Sequence, residues 1–243
     1  MYPDRDVGIR LKRNTTPTRA INPDAVPRFF DLIVRGRDRQ RMGPHTRKAY
    51  DDLLDILTVQ LGAGGMRLSE AAGLHVEDLM LDGETPRLRS NKAVVYLPPS
   101  GDWHIPMGMK KRKYENAGAY IVQQVTKTKQ NRVLSVDKHA EEVLRRRAAE
   151  VGTGLLFRTS NGQPINLNNL RRALRDTIRG TDFDGWVSTH TMRRSIGTIV
   201  AAKYGAEVAA AVLGHANVAT IRVSYIEHVD VAPDVSCDTG QLR

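Results

Sequence analysis

Cysteine is almost missing from this chain: Cys237 is the only one among 243 residues. No internal disulfide can form, and an intracellular setting is expected. The lone thiol sits in the tail, away from any His pair at metal-ligand spacing, so no zinc site is expected. Long apolar runs are missing as well. The most apolar stretch, residues 199–213, is interrupted by Lys203 and Glu207 and is too short to cross a bilayer. The N-terminus lacks the apolar core of a signal peptide. A soluble chain with no membrane partner is therefore expected. Nothing resembles a carboxylate cage for Mg²⁺, which disfavours two-metal nuclease chemistry.

Negative charge is in deficit, with 37 Lys and Arg against 27 Asp and Glu, a formal charge of +10. Such an excess favours a polyanionic partner, because each neutralised phosphate releases counterions. Residues 1–50 hold twelve basic and five acidic residues, +7 of that total. Arg35, Arg37, Arg39 and Arg41 alternate with Gly, Asp and Gln in what reads as a solvated or DNA-facing loop. The apolar fraction of 40% suffices for a globular core.

Residues 1–20 are polar and basic with no apolar periodicity, and read as a linker or arm. A helix capped by Asn22 with proline in its first turn is expected next. Ala49, Leu53, Leu54, Leu57 and Leu61 recur at helical spacing, and Gly62, Gly64 and Gly65 end that helix. A short helix over about 67–74 follows. Residues 86–136 change character: 94–97, 119–122 and 132–136 are strand-like and predict one small antiparallel sheet with a long basic excursion. From Asp137 onward helices are expected over 137–150, 166–179, 190–204, 205–213 and 217–226. The fold class is mostly helical α+β with a sheet near the middle.

Four short motifs carry residues suited to phosphate chemistry. In the first, Arg67 follows a glycine pair and opens a helix, with Glu70 one turn later on the same face. An arginine there can present its planar fork to a phosphate while the carboxylate holds it. In the second, Lys127 and Lys129 sit in what looks like a tight turn between strands. In the third, His190 and Arg193 share a helical face and can converge on one anion. In the fourth, His215 follows Leu213-Gly214, and Tyr225 lies on the next helical stretch. Alone, each has an ordinary explanation: a surface ion pair, a solvated turn, a capping histidine and a half-buried tyrosine.

Their order and company resemble the signature of the tyrosine recombinase, or phage integrase, family over residues 20–230. That pattern is Gly-x-Arg-x-Ser-Glu, a β-hairpin Lys, His-x-x-Arg, Leu-Gly-His, and a Tyr nine or ten residues later. The resemblance implies Arg67, Lys127, His190, Arg193, His215 and Tyr225 as catalytic residues, with Glu70 in support. Tyr225 would attack the scissile phosphate, leaving a 3′-phosphotyrosyl bond and a 5′-hydroxyl. Arg67 and Arg193 would neutralise the phosphorane with help from His215, while His190 takes the tyrosine proton and Lys127 gives one to the leaving oxygen. No cofactor or metal is implied. Arg41, Arg47, Lys92, Lys129, Arg132 and Arg194 are expected to contact DNA.

The implied partners are double-stranded attachment sites, a homo-tetramer formed on DNA, and accessory bending or directionality proteins. The setting would be the nucleoid of a bacterial host cytoplasm. Three departures stand out. Ser135 replaces a usual proline, the gap from Arg67 to Lys127 implies an insertion around 98–118, and Lys129 competes with Lys127 for the acid role. The N-terminal helical domain of most members has no room here, so the chain is expected to be a fragment of a longer recombinase or a naturally short relative. The catalytic domain is expected over 21–226 and an acidic tail over 227–243. A type IB topoisomerase-like enzyme and a non-catalytic DNA-binding regulator remain as alternatives.

Overall fold

The chain's computed structural model describes residues 19–38, 43–98, 119–124 and 131–214. Its scaffold forms around α2 (Pro44–Gly62), whose Leu53, Ile56, Leu57 and Val59 are completely buried. Of the apolar stripe read from the sequence, Leu53 and Leu57 lie in this core, whereas Ala49, Leu54 and Leu61 are only partly covered. α1 (Val26–Arg37) adds Phe29 and Ile33, α4 (Lys138–Val151) adds Ala140 and Leu144, and α5 (Leu167–Ile178) adds Leu170, Leu174 and Ile178. Phe29 meets Phe183 edge-on at 5.5 Å, a favoured aromatic geometry. α6 (Thr189–Tyr204) joins this core through Met192.

α3 (Leu68–Ala72) is a short helix just after the α2 turn, and α7 (Ala206–Leu213) packs on α6. The α7 packing is a small satellite of Ala206, Ala209, Ala210 and Leu213 against Val200 and Ala201. α1 runs on through Arg35 and Arg37, which the alternating charges suggested were loop. Gly36 is buried there, and two cations in a last turn suit the negative end of the helix dipole. Arg39 and Arg41 lie outside the described residues.

Among the described residues the strands form two sheets rather than one. β1 (Leu79–Met80), β2 (Arg87–Ser90) and β5 (Arg132–Ser135) make an antiparallel sheet in the order β1-β2-β5. β3 (Ala93–Leu97) pairs with β4 (Ala119–Gln123). β2 and β3 follow each other along the outgoing chain, and β5 and β4 are their partners on the return. Ser90 pairs with Arg132 and Ala93 with Gln123, so three steps on one side face nine on the other. That excess splits the ladder, and it contains Lys127 and Lys129. Among the described residues β4 and β5 do not pair with each other, and both lysines lie outside those residues. The insertion read around 98–118 lies between the paired strands β3 and β4.

α2 and α4 are joined by buried charge. Arg147 bonds Asp55 from Nε at 2.6 Å and reaches Asp52 at 3.0 Å, with its guanidinium 5.3 Å from the Phe157 ring centre. Lys48 adds a bond to Asp52 at 2.9 Å, and Arg146 one to Asp55 at 2.6 Å. Burial raises the Asp52 pKa despite these cations. Removing one partner of such a cluster strands charge in a dry place. Arg147→Ala is expected to lower the stability by about 3–5 kcal/mol, read as a lower urea midpoint at unchanged slope.

Candidate functional site

Arg67 precedes α3 and is tied to it by two bonds from one carboxylate. Its backbone N–H donates to Glu70 Oε2 at 3.0 Å, and its Nη1 donates to Oε1 at 2.7 Å. The side chain of Arg67 keeps a partly exposed edge, whereas that of Glu70 is only 1% exposed. Glu70 has a second cation: Arg132 Nη2 donates to Oε2 at 2.6 Å. Burial alone would raise the Glu70 pKa, but Arg132 and Arg67 outweigh it and hold the group below the ordinary carboxylate range.

The turn leading to Arg67 is set by Gln60. Its Nε2 donates to Met66 O at 2.8 Å and to Thr189 O at 3.4 Å, so one buried amide ties this turn to the start of α6. Gly65 is left-handed, and a Cβ on it would lie 2.9 Å from Leu213 Cδ2 and 3.3 Å from Arg193 O. Only glycine lets this turn approach α6 and α7 so closely.

α6 begins with Ser188 as its cap, its hydroxyl accepting from the His190 N–H at 3.3 Å. His190 lies in the first turn, on the wall of a cleft of about 450 Å³ shared with Arg67, Ser69, Arg171 and Arg175. Desolvation, then the charges of Arg193, Arg194 and Arg67, lower its pKa to about 4. His190 is an exposed residue, so we give the three arginines the larger part in keeping the ring neutral.

Arg193, three residues after His190 on α6, is completely buried. Its Nη1 donates to Gly65 O at 2.9 Å and its Nη2 to Leu213 O, so it joins the glycine turn to the end of α7. Arg132 does the same from the other side, donating from Nη1 to Val212 O at 2.6 Å. These carbonyls fall in the last turn of α7, where helices lack internal donors, and cations there also meet the favourable end of the dipole. Gly214, left-handed at φ 64°, closes the helix against Arg132.

Of the residues read from the sequence, Arg67 and His190 line this cleft, while the buried Glu70 bonds Arg67 and the buried Arg193 lends its charge to His190. Lys127, Lys129, Arg41, His215 and Tyr225 lie outside the described residues. Arg47 is exposed near the start of α2, and Arg194 Nη1 lies 3.4 Å from Arg19 O. Lys92 bonds the buried Asp78. Arg132, expected at a DNA surface, is only 9% exposed and serves Glu70 and Val212 instead.

Two cleft residues escaped the sequence reading, Arg171 and Arg175 of α5. Their signal was there: with Leu167, Leu170 and Leu174 buried, arginines four apart fall on the open face. Among the described residues no three His, Cys, Asp or Glu gather as a metal site, and no helix is long and apolar enough to cross a membrane.

Residues 40–231 match the sequence model of the phage integrase family. Curated proteins yield no match. Among solved structures, the chain resembles the Tn1549 transposon integrase in complex with circular intermediate DNA. The identity is 15% and the TM-score 0.65, over 95% of this chain and 69% of that one. XerH site-specific recombinase bound to difH substrate is 18% identical with a TM-score of 0.60, over 96% of this chain and 56% of its own. A lambda integrase dimer bound to a COC′ core site is 12% identical with a TM-score of 0.50, over 90% and 65%. At these identities the likeness is one of fold.

The cleft makes a prediction of its own. The His190 ring proton is expected to titrate by NMR near pH 4, and Arg194→Ala to move the midpoint up toward the ordinary value of about 6.5. Between about pH 6.5 and 4 the unfolded chain binds a proton that folded His190 refuses, so acidification through that window costs stability.

Proposed function

Because the chain belongs to the phage integrase family, whose enzymes cut DNA with a tyrosine nucleophile in site-specific recombination, we propose that Tyr225 is that nucleophile and residues 21–226 the catalytic domain. The observation that carries this reading is the basic cleft itself. Arg67 and His190, from distant parts of the chain, share one wall near the charge of Arg193, in the order the family signature requires.

Cutting a phosphodiester in this way needs a nucleophile, neutralisation of the phosphorane and a proton for the leaving oxygen. Tyr225 attacks the scissile phosphorus, forming a 3′-phosphotyrosyl bond as the bond to the 5′-oxygen breaks. Arg67, oriented by Glu70, and the buried Arg193 supply fixed positive charge, helped by His215. His190 accepts the tyrosine proton. It is neutral at pH 7, and a phosphate entering the cleft offsets the arginine charges and makes its ring more basic. Lys127 protonates the leaving 5′-oxygen, with Lys129 the other candidate. Rejoining reverses these steps when a 5′-hydroxyl attacks the phosphotyrosine, so the energy of the broken bond is retained.

Arg171 and Arg175 extend the basic wall, and with Arg47 and Arg194 they suit a DNA backbone. Strand exchange takes place between duplex attachment sites in a tetramer, with residues 227–243 as a tail and accessory proteins setting direction. The setting is the nucleoid of a bacterial host that carries a phage or mobile element.

A pool of nicked duplexes with randomised arms tests the reading, since a nick beside the cut lets the leaving strand escape and traps the adduct. The chain is expected to trap a sequence-restricted subset as an SDS-stable complex. Tyr225→Phe should abolish it, and Arg67→Ala should slow its formation by about a hundredfold or more. Failure to trap any duplex, or an adduct that persists in Tyr225→Phe, sinks the proposal. Relaxation of plasmids regardless of sequence would point to a topoisomerase-like enzyme instead.

A further inference from the structure

We propose that Arg132 is a positioning residue for DNA cleavage, one buried cation that sets Arg67 through Glu70 and, through Val212, the chain that leads to His215 and Tyr225. The inference rests on the cleavage function proposed above. Its basis is the geometry of a single guanidinium. One terminal nitrogen lies 2.6 Å from Glu70 Oε2, whose other oxygen holds Arg67 Nη1 at 2.7 Å. The other terminal nitrogen lies 2.6 Å from Val212 O, two residues before Gly214 and three before His215. The planar fork of arginine serves both acceptors at once, which the single ammonium of lysine cannot do in the same directions.

Two further observations show how closely this cation is fitted. A Cβ on Gly214 would lie 2.7 Å from Arg132 Cδ and 2.8 Å from its Nε, so the residue before His215 rests directly on the arginine stem. Arg132 also opens β5, immediately after the segment that carries Lys127 and Lys129, and Ser90 of β2 holds it in register. Three parts of the site therefore meet at one largely buried side chain: the Arg67 turn, the exit from α7 and the return from the lysine segment. α7 has only a small apolar contact of its own, so its last turn relies on such polar anchors.

A duplex trapped by the unaltered chain serves as probe, with Arg132→Met, Arg132→Lys and Arg132→Met/Glu70→Gln compared by single-turnover cleavage, DNA affinity at several salt concentrations and thermal melting. The rate constant for adduct formation is expected to fall on the order of ten- to a hundredfold in Arg132→Met, as for outer partners that orient reacting groups. Arg132→Lys should recover only part of it. DNA affinity and its salt dependence should stay unchanged, and the double variant should be little slower than Arg132→Met, since both act through Arg67.

Unchanged rates in both single variants overturn the inference. So does a fall in adduct amplitude alone, in step with the melting temperature, which marks a purely structural role. Weaker binding with a salt slope reduced by about 0.9 also overturns it, because Arg132 would then be a phosphate contact. No adduct with the unaltered chain overturns the cleavage function itself and this inference with it, whereas normal cleavage by the unaltered chain and both variants removes only the inference.

Discussion

A carboxylate buried between two guanidinium groups organises this molecule's chemistry. Glu70 is inaccessible to water, yet Arg67 and Arg132 keep it ionised. The arrangement is asymmetric in a useful way. Arg132 is spent inside the protein, while Arg67 keeps an edge toward the cleft. A lone arginine on a short helix would sample many rotamers; one fastened at its own N–H and at its guanidinium presents a fixed charge. The cost of assembling such charge is met by folding, before any substrate arrives.

The same economy governs the end of α7. Helices leave their last carbonyls without donors, and an αL glycine usually satisfies some of them. Here Arg132 and Arg193 bond Val212 and Leu213 from two sides, while Gly214 adopts the left-handed turn. Arg193 is thereby shared between holding the backbone and lending charge to the cleft, where it helps to keep His190 neutral. The local field is positive enough that a histidine, ordinarily half-charged near pH 6.5, stays free of its proton well below that.

Much of this was legible in the sequence. Helical spacing located α2, the glycines marked its end, and the pair Arg67–Glu70, three apart, announced a contact that the structure contains. Arg132 was not legible as a buried residue, because an arginine beside lysines in a basic segment looks like surface. Only pairing β5 with β2, not β4, turns it inward. The split of the sheet was hidden for a related reason. Strand propensity marks which residues extend, but the unequal steps between Ser90–Ala93 and Gln123–Arg132 exist only once partners are known. Arg171 and Arg175 carried a readable pattern, but exposed helix arginines are too common to single out without a cleft beside them.

The ladder of β3 and β4 ends where Leu97 stands opposite Ala119, so the chain leaves and re-enters the fold at neighbouring points. The entropy of joining two neighbouring points grows only with the logarithm of the length of the connection. The cleft residues and the partners that hold them, Arg67, Glu70, Arg132 and His190, are anchored elsewhere, on β5, α3 and α6. The pairing of Leu97 with Ala119 thus sets only where the joining sequence begins and ends, and a change in its length between those points leaves these anchors in place. Such a junction is a natural port for a foreign peptide or an appended module.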